Sequence, residues 1–77
     1  MNKERRKRLD EVINQLEELQ AEVASIGEEE REAYDNLPDS LNDTDRANQM
    51  CENADDLDGL DSDFDSLLDT LRDIRDR

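Results

Sequence analysis

The chain has 77 residues, of which 44% are charged and 32% apolar, with 24 acids against ten bases and a formal charge of −14. That length allows one small domain. The charge sets aside direct binding to nucleic acid or to an anionic membrane and favours a basic partner. Without histidine, and with Cys51 as the one cysteine, the chain offers no zinc ligand set, no internal disulfide and no nucleophilic triad. No apolar run is long enough for a membrane span or a signal-peptide core, so a cytoplasmic location is expected. The composition lies near that of disordered chains, and only the placement of its few apolar residues argues for a fold.

Residues 1–8 (MNKERRKR) form a basic start, whose charge opposes the dipole of any helix beginning there. From Leu9, apolar residues recur at Leu9, Val12, Leu16, Leu19, Val23 and Ile26, and the same three-four alternation continues through Glu30, Ala33 and Leu37. This heptad seam predicts a first helix over about residues 3–35, with Gly27 beside the seam at a cost of about 1 kcal/mol relative to Ala. Residues 36–43 are the only turn-rich segment: Pro38 cannot continue a helix, and Asn36, Asp39 and Ser40 are turn and cap formers. Leu37 and Leu41 read as an apolar plug that closes the turn against Tyr34 and Met50.

Thr44 is a good N-cap for a second helix over about residues 44–75, with Asp45 in its favourable first turn. The apolar seam there runs Ala47, Met50, Ala54, Leu57, Leu60, Phe64, Leu67, Leu71 and Ile74. The steps around Leu57 and Leu60 are three and three, a stammer that would overwind the coil near Gly59. Folding back about the turn pairs residues whose numbers sum to about 80, placing Val23 on Leu57, Leu19 on Leu60 and Leu16 on Phe64. The fold expected is all-α, an antiparallel two-helix coiled-coil hairpin. Ile13 and Leu68 lie beside this seam. With Leu60 they would form a dimer contact that completes a four-helix bundle, or a patch for a partner helix. The alternative is a seam wider than the two heptad positions.

The charges are segregated. The two ends, residues 1–8 and 72–77, carry a net charge of +5, and residues 9–71 carry −19. A hairpin brings both basic ends together, which makes a rod with a basic tip and an acidic shaft. The acids of the second helix are mostly Asp, a poorer helix former than Glu. Asp also holds its carboxylate closer to the backbone. Asp55, Asp58, Asp61, Asp65 and Asp69, continued by Asp73 and Asp76, recur at helical spacing. Such an array presents a charge field like that of a nucleic-acid strand. Together with Glu28, Glu29 and Glu30, the five aspartates are the candidate partner-binding residues. The competing reading is a solvated acidic face with no specific partner.

The same aspartates do not form a calcium loop. With Gly59 at the sixth loop position the first is Ala54, and with Asp61 first the twelfth is Arg72. Neither fits an EF-hand. Carboxylates on a convex two-helix rod have no pocket to raise a pKa, so an enzyme is not expected, nor any metal or cofactor.

Residues 28–50, EEEREAYDNLPDSLNDTDRANQM, resemble a motif in small acidic helical proteins of phages and bacterial mobile elements. Its core is E-A-Y/F-D-N-L-P-x-S-L, followed by a Ser or Thr cap and a second amphipathic helix. Glu32, Ala33, Tyr34, Asp35, Asn36, Leu37, Pro38, Ser40 and Leu41 match it. The chain departs from it in an Asp-richer second helix and in Ala47, where Gly is usual. The resemblance implies a hairpin and a phage-type origin. That setting favours a nucleic-acid mimic that inhibits a basic host defence protein, such as a restriction, CRISPR or recombination nuclease. The alternative is a coiled-coil adaptor working through an apolar helix face.

Overall fold

A computed structural model describes all residues, 1–77. Helix α1 spans Lys3–Asp35, a short 3-10 turn spans Asp39–Leu41, and helix α2 spans Asp45–Asp76. The helices pack antiparallel as a hairpin with no strand. The Asn2 side chain caps α1 by accepting from the Arg5 amide at 2.8 Å. Asn36 ends it, its amide donating to the Glu32 carbonyl at 3.0 Å. Thr44 caps α2: its hydroxyl accepts from the Ala47 amide at 3.2 Å and donates to the Leu41 carbonyl at 2.8 Å. One side chain thereby starts a helix and fastens the turn before it.

The molecule is a rod of 60 × 15 × 13 Å with a radius of gyration of 17.6 Å. A compact globule of this length would have a radius of about 11–12 Å. The interior is correspondingly thin. Only Ile13, Ala47, Ala54 and Leu68 form the buried apolar core, and Gly27 is the fifth buried residue.

The seam differs from the one that apolarity alone predicts. On α1 the seam row of buried and half-buried positions is Leu9, Ile13, Leu16, Gln20, Val23, Gly27, Glu30 and Tyr34, with Arg31 half-buried beside it, while Val12, Leu19 and Ile26 are exposed. On α2 the packed positions include Ala47, Met50, Ala54, Leu57, Phe64, Leu68, Leu71 and Arg75, while Leu60 and Leu67 are exposed. Through Asp61, which bonds across to α1, this row alternates three and four without a break, so no stammer falls at Gly59. Ile13 and Leu68, expected beside the seam, are its two fully buried large side chains. They are therefore excluded as dimer contacts. Of that expected trio, only Leu60 remains at the surface.

The register shifts with the seam. Gly27, not Val23, lies against Leu57, and facing residue numbers sum to about 84. A Cβ on Gly27 would stand 3.3 Å from the Leu57 Cβ, tighter than ordinary packing. Glycine here is what lets the backbones approach, in concert with Ala47 and Ala54 on α2. The turn is also more open than expected. Leu37 is half-buried, but Leu41 is exposed and forms no plug.

Candidate functional site: the acidic edge

The hairpin has two long edges, one on either side of the seam. At 100° per residue, Asp10, Glu17, Ala24, Glu28 and Arg31 project to one side of α1. Asp55, Asp58, Asp65, Asp69 and Arg72 project to the same side of α2. Four cationic or amide side chains join the helices along this edge. Gln20 Nε2 donates to Asp61 Oδ1 and to Asp65 Oδ1, each at 2.9 Å. Arg31 Nη2 donates to Asp55 Oδ1 at 2.6 Å and Asp58 Oδ2 at 3.2 Å. Arg72 reaches Glu17 at 2.6 Å, with Asp69 3.5 Å away along its own helix. Arg75 reaches Asp10 at 2.8 Å and Asp76 at 2.9 Å.

These contacts set the electrostatics of the edge. Hydrogen bonds from Arg31 to Asp55 and then Asp58 raise the guanidinium pKa further above its ordinary value. Asp76 and then Asp10 do the same for Arg75. The Arg75 hydrogen bond in turn holds the Asp76 carboxyl below its ordinary range. The carboxylates remain open to water all the same. Asp55, Asp58 and Asp69 side chains are 63%, 60% and 79% exposed, so each can meet a partner with its outward lone pairs.

The five predicted α2 aspartates thus share one edge, and each is held by a side chain of the hairpin. Glu28 joins them. With Asp58 and Asp61 it rims a groove floored by Val23, Leu57 and Phe64. Glu30 sits half-buried at the seam, and Glu29 is exposed but outside that groove. Neither belongs to the array that Glu28 extends. From Asp55 to Asp69 the edge runs for about 21 Å. Its five α2 charges fall on the order of one per 5 Å, against about 3.4 Å for the phosphates of one DNA strand.

Apolar counting overlooks the organisers, Gln20 and Arg31, and the α1 acids Asp10 and Glu17. Their signal was the heptad row Asp10, Glu17, Ala24, Arg31, which runs parallel to the row Ile13, Gln20, Gly27. The expected basic tip also changes. Arg72, Arg75 and Arg77 are paired with acids, Arg77 with Asp73 at 3.1 Å, whereas Lys3, Arg5, Lys7 and Arg8 form no ion pair. Nowhere do three acid or thiol side chains converge as a metal site requires.

Fold and site together define a class, an acidic two-helix rod with a row of carboxylates bonded along one edge. Comparison with protein-family models, with curated proteins and with solved structures gives no match. No helix is long and apolar enough to cross a membrane.

Proposed function

We propose that the chain is a non-enzymatic polyanion mimic. Its acidic edge occupies the nucleic-acid groove of a basic protein and blocks it. The observation behind this reading is the row Asp55, Asp58, Asp61, Asp65 and Asp69, fixed along one edge by Gln20, Arg31 and Arg72. A row already held in place loses little side-chain freedom on docking, which favours binding. The groove under Glu28, Asp58 and Asp61 has an apolar floor. It suits the aliphatic stem of a partner lysine or arginine, whose head would then meet the carboxylates.

The phage-type motif around Tyr34 and Pro38 points to a partner in the host cytoplasm, a restriction, CRISPR or recombination nuclease. Inhibition there needs no catalytic residue, because occupancy of the groove excludes the substrate. Electrostatic attraction of this kind is fast and falls steeply with salt.

The test is affinity capture from a bacterial lysate with the native chain and with a variant carrying Asn at Asp55, Asp58, Asp61, Asp65 and Asp69. The native chain is expected to retain a nucleic-acid enzyme that moderate salt or duplex DNA releases. The variant, with helicity matched by circular dichroism, is expected to lose it. Equal retention by both chains sinks the proposal. The alternative, a coiled-coil adaptor working through an apolar helix face, would have Leu60 at its surface, with Ile13 and Leu68 interior.

A further inference from the structure

The edge opposite the acidic row carries no cross-helix ion pair. It is apolar. Val12, Leu19 and Ile26 on α1 are 43%, 55% and 45% exposed, and Leu60 and Leu67 on α2 are 40% and 48% exposed. Val23, Leu60, Phe64 and Leu67 line a shallow groove there, with Asp63 at its rim. Toward the chain ends the same face continues through Met1, Leu9, Val12 and Ile74, flanked by Arg5 and Arg8. Isolated exposed leucines are ordinary on proteins, but a continuous heptad row of them is not.

We infer that this face binds a second copy of the chain, stacked face to face and head to tail, to form an antiparallel four-helix bundle. The inference does not rest on the proposed inhibition, which uses the opposite edge. Three observations select a second copy in that orientation. The first is symmetry. Leu19 is the midpoint of α1, which spans Lys3–Asp35. Antiparallel pairing of α1 with α1 about Leu19 places Val12 on Ile26 of the second copy and overlaps the rods from end to end. Leu60 and Leu67 bracket the same height on α2. An isologous interface must be self-complementary in this sense.

The second observation is charge. The same alignment sets Arg8 opposite Glu30 of the second copy, and brings Arg5 within one turn of its Glu29. Arg5 and Arg8 have no acid partner in their own hairpin, and Glu29 and Glu30 have no basic one. A parallel stack would instead crowd the unpaired cations of both copies at one end and the acidic turns at the other. The third is area. A rod 60 Å long and 15 Å wide sets an upper bound of about 900 Å² per copy for face-to-face stacking, comparable with about 800 Å² per partner in a standard stable interface. A thin hairpin core, with Ile13 and Leu68 its only fully buried large side chains, leaves the fold in need of that cover.

Sedimentation equilibrium on the full chain tests the inference. The native chain of 9.0 kDa is expected to give twice that mass at about 100 μM, well above a micromolar dissociation constant. Leu19→Glu is expected to weaken the dimer at least tenfold. Should that variant lose its helices, orientation still decides. In a Cys51→Ser background, Leu19→Cys is expected to oxidise readily to a disulfide-linked dimer and Lys3→Cys is not, since antiparallel stacking keeps the two Lys3 positions a rod length apart. A native mass of 9.0 kDa, a dimer indifferent to a helical Leu19→Glu, or faster linkage through position 3 than through position 19 would each overturn it.

Discussion

The two edges of this hairpin are built from the same heptad rhythm and differ in how they are closed. On one, Gln20, Arg31, Arg72 and Arg75 bind acids across or beside the seam. On the other, Val12, Leu19, Ile26, Leu60 and Leu67 stand open to water. A two-helix rod cannot turn every apolar residue inward, because each helix faces only one neighbour. The chain resolves this by giving the polar edge directional bonds that hold the helices in one register. Its surplus apolar surface is left on the far side. Hydrogen bonds and ion pairs exposed to solvent add little stability each. Their contribution here is geometric: they decide which carboxylates line up.

The sharpest way to break the contrast is to truncate one residue on each side of the boundary. Ile13 is 2% exposed and Leu19 is 55% exposed, less than two turns apart on the same helix. Ile13→Ala is expected to cost about 2–5 kcal/mol, measured by urea denaturation, through lost burial and an unfilled cavity. Leu19→Ala, measured at dilutions where the chain is monomeric, is expected to change stability by less than about 0.5 kcal/mol. Equal losses would mean that the two faces had been assigned wrongly.

The two glycines sharpen the comparison at the backbone. Nothing lies within 4 Å of a Cβ placed on Gly59, so Gly59→Ala is expected to raise stability by about 1 kcal/mol through helix propensity. Gly27→Ala brings the same propensity, but its Cβ meets the Leu57 Cβ at 3.3 Å, an atom fixed directly to the α2 backbone. Gly27→Ala is therefore expected to fall short of Gly59→Ala in thermal melts, because the helices must part to admit it.

The smallest effect concerns protonation at the end of the polar edge. Arg75 holds the folded-state pKa of Asp76 below its ordinary value of 3.8. A carboxyl depressed on folding stabilises the fold at pH above the unfolded-chain value. That contribution is lost as pH falls through the folded value. A carboxyl-carbon NMR titration is expected to find the Asp76 midpoint below 3.8. Arg75→Gln is expected to move the midpoint back up.

Much of the architecture was legible in the residues. Pro38 and the turn formers around it, the Thr44 cap and the unbroken helical spacing on either side all specify a hairpin. The choice of seam was harder to read. Ranking positions by apolarity selects Val12, Leu19, Ile26, Leu60 and Leu67, because it penalises Gln20, Gly27 and Asp61 at the competing positions. That penalty vanishes when Gln20 donates to Asp61 and when Gly27 receives Leu57. The clue lay in α2, where the apolar row needs a three-three step at Leu60 and the row through Asp61 needs none. The aspartate array was visible as a pattern. Its internal partners were not, since Arg31 and Gln20 reach it only once the register is known.

The paired bonds from Gln20 to Asp61 and Asp65 have one more consequence. Long repetitive coils are prone to slide by a whole heptad, because the neighbouring alignments bury similar surfaces. A seven-residue slip would put Ala54 or Leu68 where Asp61 now stands, and neither can accept a hydrogen bond from the amide; Asp58 or Arg72 would then take the place of Asp65, so at most one of the two bonds survives. Gln20 therefore serves as an index mark on an otherwise uniform ruler, permitting one alignment and disfavouring its nearest impostors.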